Sequence, residues 1–204
     1  NNKAAAENIS IHIPALKLEK TIYTDSNGKA YFEMEAQLPL KLWSPRDPAL
    51  YEVSISKNAQ LIKDKIGFRS IETKAANILL NGKKIFLKGI CLHEEMNGRR
   101  ANSAADATKL LQYAKSLGCN YVRLAHYPHN EHMIKKADEL GLMVWEEIPV
   151  YWTVDFGNAA TYKNAENQLL EMISRDKNRA SVIIWSVANE TPSSDARNEF
   201  LKNL

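Results

Sequence analysis

Near Leu79 the hydrophobic pattern of this chain changes its period, and that change restricts the available folds more than any other feature. Upstream, apolar and polar residues alternate. Ile9, Ile11 and Ile13 flank Ser10 and His12; Phe32, Met34, Ala36 and Leu38 flank Glu33, Glu35 and Gln37; Tyr51, Val53 and Ile55 flank Glu52 and Ser54. A period of two puts one face of a strand inside and the other in water. Asn27-Gly28 is a turn signal that predicts a hairpin into the run over 30–38, whereas Pro45 and Pro48 confine the next stretch to a loop. Short alternating strands at this spacing predict a β-sandwich.

Downstream, Asn81-Gly82 predicts one last hairpin, into residues 85–90. The strand-like runs then become continuously apolar, as in Tyr121-Val122-Arg123-Leu124-Ala125, Leu142-Met143-Val144-Trp145 and Val182-Ile183-Ile184-Trp185-Ser186-Val187. Helical periods separate them. Ala107, Leu110, Leu111, Ala114 and Leu117 follow a capping-box-like start at Ser103 and Asp106 and stop at Gly118; Met133, Ile134, Ala137 and Leu140 stop at Gly141; Ala165, Leu169, Met172 and Ile173 form a third period. Four apolar strands separated by helices predict a parallel sheet with helices on its outer face. Roughly 120 residues follow Ile85, about half of the ~250 that a closed (β/α)8 barrel needs. The expected organisation is therefore a sandwich domain over 1–74, incomplete at its start, and only about the first four βα units of a TIM barrel over 75–204.

Charge and composition exclude several classes of function. Twenty-seven Lys and Arg against 24 Asp and Glu leave a formal charge of +3 with no block of like sign, so neither nucleic acid nor an anionic membrane is expected as a partner. No apolar run approaches the roughly 18 residues of a membrane span, and residues 1–13 lack the order of a signal peptide. Cys91 and Cys119 are too few for a disulfide framework and leave the compartment open.

In a barrel, the C-terminal ends of the strands form the functional face, and here they carry a dense set of ionisable groups. His93, Glu94 and Glu95 follow the first strand; His126, Tyr127 and Pro128 follow the second, with Arg123 inside it; Glu146 and Glu147 end the third; Asn189 and Glu190 follow the fourth. A carboxyl placed straight after Val182-Ile183-Ile184-Trp185-Ser186-Val187 is expected to have an apolar floor, and partial burial there raises a carboxyl pKa toward the range of a general acid. Asn189 beside it is suited to hydrogen bonding with a substrate hydroxyl. Glu146 and Glu147 are assigned to a different part of the barrel mouth.

These residues form an ordered set. Gly67-Phe68-Arg69-Ser70-Ile71-Glu72, Leu80-Asn81-Gly82-Lys83-Lys84-Ile85-Phe86-Leu87-Lys88-Gly89, His93-Glu94, Asn120-x-x-Arg123-x-x-His126-Tyr127-Pro128, Asp138-Glu139-x-Gly141-Leu142-x-Val144, Arg175-Asp176-x-Asn178 and Val182-Ile183-Ile184-Trp185-Ser186-x-x-Asn189-Glu190 stand in this sequence. The chain thereby resembles glycoside hydrolase family 2, over about residues 42–198. The resemblance implies an immunoglobulin-like sandwich followed by a (β/α)8 barrel, and a retaining exo-β-glycosidase acting on a carbohydrate, β-galactosidase-like in the first instance and β-glucuronidase or β-mannosidase in the second. It implies that Glu190 is the acid/base, that Asn189 holds the sugar 2-hydroxyl and that His126 and His93 contact the glycone. Arg123 resembles the inward arginine that supports the nucleophile, and could equally pair with a buried carboxylate. The family's nucleophile falls beyond Leu204, so this chain alone is expected to be inactive. Where the metal-dependent β-galactosidases have a Glu-x-His pair, this chain has Glu147-Ile148-Pro149-Val150-Tyr151-Trp152. No catalytic magnesium or other cofactor is expected, and Tyr151 and Trp152 are read as walls of the sugar subsite.

Four other readings stand beside these. His126-x-x-His129-x-x-His132 has a metal-like spacing, but Pro128 breaks any single helix that would present the three together. A non-catalytic carbohydrate-binding scaffold on the same fold and a half-barrel completed by a homo-oligomer both remain open. The sequons Asn8-Ile9-Ser10 and Asn189-Glu190-Thr191 read as chance matches.

Overall fold

A computed structural model of the chain describes residues 5–204, and the first four residues of the stretch read for a signal peptide lie outside it. The described residues form two units: one of residues up to 43 together with 49–68, the other of 44–48 and 69–204.

The first unit is built on β1 (Asn8–Ile13), β2 (Leu18–Tyr23), β3 (Tyr51–Lys57) and β4 (Gln60–Ile66). They form one antiparallel sheet in the order β2-β1-β3-β4. Ile13, Leu16 and Val53 are buried, with Ile11, Leu18, Tyr51, Ile66 and Phe68 packed on them. Residues 30–38 depart from the expected hairpin. The turn forms, with Gly28 at φ 72° and its amide donating to Asp25 at 2.9 Å, but no strand follows between residues 24 and 43. Tyr31 is 88% exposed, and Phe32, Met34 and Leu38 are also exposed. Alternation shows that one face of a segment is made to be covered; a strand also needs a free neighbouring edge, and no described strand pairs with this one. The described residues thus supply one layer of strands in this unit.

The second unit begins with an antiparallel sheet of β5 (Ile71–Lys74), β6 (Asn77–Leu80) and β7 (Lys83–Lys84). Asn81 and Gly82 link the last two with φ of 53° and 71°, the two positive values that a type I′ hairpin turn requires. Its main body is a parallel sheet of β8 (Gly89–Leu92), β11 (Tyr121–Leu124), β12 (Met143–Glu147) and β13 (Val182–Ser186), neighbours in chain order. A small hairpin, β9 (Glu95–Met96) and β10 (Arg99–Arg100), follows β8. Helices α1 (Ala104–Ser116), α2 (Glu131–Leu140) and α3 (Ala159–Asp176) connect the successive parallel strands, and α4 (Asp195–Asn203) follows β13.

Local chemistry sets the helix limits. Ser103 and Asp106 exchange hydrogen bonds in a capping box at α1. Arg99 clamps the same Asp106 through two contacts of 2.9 and 2.6 Å, and these bonds, aided by Ser103, hold its carboxyl far below the usual carboxylate range. Asn130, Asn158 and Ser194 cap α2, α3 and α4 through their side chains. The core joins Ala107, Leu111 and Ala114 of α1 and Met133, Ile134 and Ala137 of α2 to Val122, Leu124, Val144 and Val182 of the sheet. No helix among the described residues is long and apolar enough to cross a membrane.

Gly118 and Gly141 both follow helices with left-handed φ, 79° and 68°. Only at Gly141 would a Cβ also meet backbone, 2.6 Å from the Pro45 carbonyl oxygen, whereas space around Gly118 is open. Gly118→Ala is therefore expected to cost about 1 kcal/mol from backbone strain alone, and Gly141→Ala clearly more. Urea denaturation of the two variants checks the order; equal losses would contradict it.

Candidate functional site

Alternation along β11 and β12 sorts their side chains between two faces. Val122 and Val144 pack among the helices. Arg123 stands level with Trp145 on one neighbour and Cys91 on the other, so this arginine, Trp145 and, two residues on, Glu147 share the opposite face. Glu147 is fully buried there. Arg123 donates to it from Nε at 3.2 Å and from Nη2 at 2.8 and 2.9 Å. The Trp145 indole donates at 3.1 Å, and His126 Nδ1 lies 2.7 Å from Glu147 Oε1. Arg123 also lies over the Trp145 ring, 5.1 Å from its centroid. Burial disfavours the charge on Arg123, but its bonds and attraction to Glu147 outweigh this and hold its pKa above the usual value.

From this buried pair the network reaches the strand ends. Arg123 Nη2 donates to Asn189 Oδ1 at 2.6 Å and lies 3.2 Å from His126 Nδ1. The loops after β12 and β13 are tied by backbone, with Asn189 donating to Val150 O at 2.9 Å and Trp152 donating to Asn189 O at 3.1 Å. Above them a cavity of about 300 Å3 is lined by His93, His126, Tyr127, Tyr151, Trp152, Asn189 and Glu190. The rings of His126 and His93 meet edge to face at 5.4 Å, and those of Tyr151 and Trp152 at 5.8 Å. The Trp152 indole N–H donates to Glu190 Oε2 at 3.0 Å. Trp152 and Glu190 both have left-handed backbones, with φ of 54° and 52°, a conformation that costs a non-glycine residue free energy and concentrates at functional sites.

All seven residues singled out in the sequence fall in this one region. Glu190, Asn189, His126, His93, Tyr151 and Trp152 line the cavity, and Arg123 lies beneath it, joined to two of them. Two details differ from expectation. Glu190 is exposed, so the apolar floor expected to bury it does not cover it. Glu147, assigned to another part of the mouth, is instead the buried centre that Arg123 and His126 share. Its signal in the sequence is the parity of the strand: of two adjacent glutamates, only one can face the side that holds Arg123.

Glu146 takes the other side. Fully buried, it faces Arg175, whose Nη2 is 3.3 Å from Oε1, and Asp176, itself bound by Arg175 Nε at 2.6 Å. Oε2 of Glu146 has no hydrogen-bond partner. Burial first, then the charge of Asp176, pushes the Glu146 pKa up to about 9, against the pull of Arg175.

Next to the cavity, buried Glu94 joins Arg100 at 2.8 Å and accepts from the Asn130 amide, linking the β9-β10 hairpin to the start of α2. His129 is buried with Nε2 3.1 Å from the Ala125 carbonyl and Nδ1 unpartnered, and burial pushes it toward its neutral form. Among the described residues no group of three His, Cys, Asp or Glu side chains is gathered to hold a metal. Magnesium chemistry of the Glu-x-His kind has no matching donor set after β12, where Ile148-Pro149-Val150-Tyr151-Trp152 follows Glu147.

Comparison with known proteins agrees with this arrangement of parallel strands. Residues 71–203 match the family described as glycosyl hydrolases family 2, TIM barrel domain. The chain belongs to glycosyl hydrolase family 2. A β-galactosidase of Thermoanaerobacterium thermosulfurigenes is 36% identical over 199 residues, covering 91% of this chain and 26% of that protein. A β-glucuronidase of Streptococcus agalactiae is 33% identical over 177 residues, covering 76% and 29%. Among solved structures, a family 2 β-galacturonidase from Eisenbergiella tayi bound to galacturonate superposes with a TM-score of 0.84 at 28% identity, over 98% of this chain and 38% of that one. This family 2 chain thus spans about a quarter of the length of the two curated relatives.

The buried Glu146 predicts a pH dependence of stability. Its folded pKa of about 9 lies above the ordinary 4.5. Between these values the native state keeps a proton that the unfolded chain has released. Its favourable contribution is therefore complete below about pH 4.5 and is lost as pH rises toward 9, at no more than about 1.4 kcal/mol per pH unit. Glu146→Gln removes this dependence. The variant is expected to exceed the parent in stability by about 1 kcal/mol or more at pH 8 and to match it near pH 4.5. Urea midpoints at the two pH values check this, and a gap independent of pH would contradict it.

Proposed function

We propose that this chain carries the proton-transfer half of the active site of a retaining exo-β-glycosidase, acting on a terminal β-linked sugar. The observation that supports it best is the seat of Glu190: a carboxylate at the end of a barrel strand, held by the Trp152 indole in a cavity with two histidines, two tyrosines and an asparagine. In this reading the first unit, with β1 to β4, is part of an immunoglobulin-like domain and the second unit carries the first half of the catalytic barrel.

Glu190 protonates the glycosidic oxygen as the bond to the leaving group breaks, then takes a proton from the water that releases the sugar. Asn189 donates to the hydroxyl next to the anomeric carbon. His93 and His126 hydrogen-bond the sugar ring's other oxygens, and Tyr151 and Trp152 cover an apolar face of the ring. Retention needs a second carboxylate about 5 to 5.5 Å away, and among the described residues lining the cavity Glu190 carries the only carboxyl. The nucleophile in this reading lies outside these 204 residues. A β-galactoside is the first choice of substrate, in line with the Thermoanaerobacterium relative. The similarity to the β-galacturonidase structure supports a uronide as the second.

The test is hydrolysis of 4-nitrophenyl β-galactoside, β-glucuronide, β-galacturonide, β-mannoside and β-glucoside by this chain and by the longest natural product that contains it. Turnover by the longer product and negligible turnover by the chain alone are expected. Glu190→Gln in the longer product is expected to lose about 10²- to 10⁴-fold in kcat on substrates with poor leaving groups. A glycosidase-like rate from the 204 residues alone, or full activity after Glu190→Gln, would overturn the proposal.

A second expectation concerns binding. Because Trp152 lines the cavity, saturating the longer product with its preferred sugar should change tryptophan fluorescence, and Trp152→Phe should abolish most of that change. An undiminished signal in the variant would place the sugar elsewhere.

A further inference from the structure

We infer that Glu147 is a positioning residue for the reaction proposed above, on which this inference rests: it fixes the hydrogen-bonding state of two groups that face the sugar, His126 directly and Asn189 through Arg123. Glu147 reaches the cavity with no atom of its own, since the lining does not include it. Its influence travels through contacts that restrict what its neighbours can present.

The first restriction acts on His126. The ring has two nitrogens, and in the neutral form only one carries hydrogen. Nδ1 lies 2.7 Å from a fully buried carboxylate oxygen. An ionised carboxylate only accepts hydrogen bonds, so the proton belongs on Nδ1. The contact from Arg123 Nη2 to the same nitrogen, at 3.2 Å, is longer and would require the opposite tautomer; the shorter, charge-assisted contact prevails. His126 lines the cavity, and Nε2 is the nitrogen left for a ligand. In the neutral ring it is an acceptor, suited to a sugar hydroxyl proton.

The second restriction acts on Asn189. Its amide could present either oxygen or nitrogen to the cavity, and the two choices recognise opposite partners. Arg123 has donors only, and its Nη2 sits 2.6 Å from Oδ1, so the oxygen is committed inward and the NH2 is the end available to a hydroxyl oxygen. Arg123 itself is held by three contacts to Glu147. Without that anion the guanidinium loses the anchor that keeps Nη2 at the amide.

Two measurements test this. In the 204-residue chain labelled with 15N-histidine, long-range nitrogen–proton correlation spectra read the tautomer of neutral His126, assigned by comparison with His126→Gln. Protonation at Nδ1 is expected; protonation at Nε2 would overturn the inference, and this readout needs no activity. The second uses the longest natural product, with the 4-nitrophenyl β-glycoside it cleaves fastest and the 2-deoxy form of that glycoside. Glu147→Gln is expected to lower kcat/KM about 10- to 100-fold on the parent glycoside, as losses of supporting contacts around a site do, and by a clearly smaller factor on the 2-deoxy form, which still reports His126 but cannot report the Asn189 amide. Arg123→Lys, which keeps the charge but not the fork, is expected to show the same selectivity loss and covers the case in which Glu147→Gln fails to fold. Equal losses on both glycosides, or no loss on either, would overturn the assignment. If no glycoside is cleaved, the glycosidase proposal fails and the tautomer alone decides the placement of the His126 proton.

Discussion

The ion pair between Arg123 and Glu147 is the constraint around which the second unit is organised. A carboxylate with no exposure to water is tolerated only if its lone pairs are filled and its charge is answered. Glu147 meets both conditions with Arg123, His126 and the Trp145 indole. These donors come from two adjacent strands and the loop that follows one of them, so the requirement fixes the β11-β12 register and the position of His126 together. Asn189 enters through the same guanidinium, which extends the constraint to the end of β13. The other face of the sheet needs no such device, because Val122, Val144 and Val182 meet the helices there by apolar packing.

Much of this organisation is legible in the sequence because its causes are local. Ser103 and Asp106 announce the start of α1, and Gly118 and Gly141 stop helices because each adopts a left-handed backbone. The continuously apolar runs of β11, β12 and β13 report strands covered on both faces. The polar residues that follow them report the functional end, and Glu190, Asn189, His126 and Arg123 fall together for that reason. Segment 30–38 was less readable. Its alternation speaks of a covered face, but the partner that would pair with it is not among the described strands, and local pattern carries no information about partners.

The central role of Glu147 is hidden in a similar way. In sequence, Glu146 and Glu147 are interchangeable neighbours. Their opposite fates depend on the phase of one strand and on which strand lies beside it: one is buried against Arg175 and Asp176 with an unmatched oxygen, the other closes a network of donors. The bond from Trp152 to Glu190 joins residues 38 apart. It depends on two loops held by the Val150, Asn189 and Trp152 backbones, a pairing that no motif within either loop records.

The left-handed backbones of Trp152 and Glu190 bear on how this protein can be engineered. Each residue is held in a conformation worth about 1 kcal/mol or more of stability if relieved, and glycine would relieve it. A screen for thermostability is therefore drawn toward these two positions, where the stabilising replacement deletes the indole donor or the carboxylate it holds. Resistance to heat and possession of the site are set against each other at the same two residues. Gains of stability that spare the site have to come from elsewhere, from helix surfaces and the exposed segment over 30–38, where no strained residue serves the cavity.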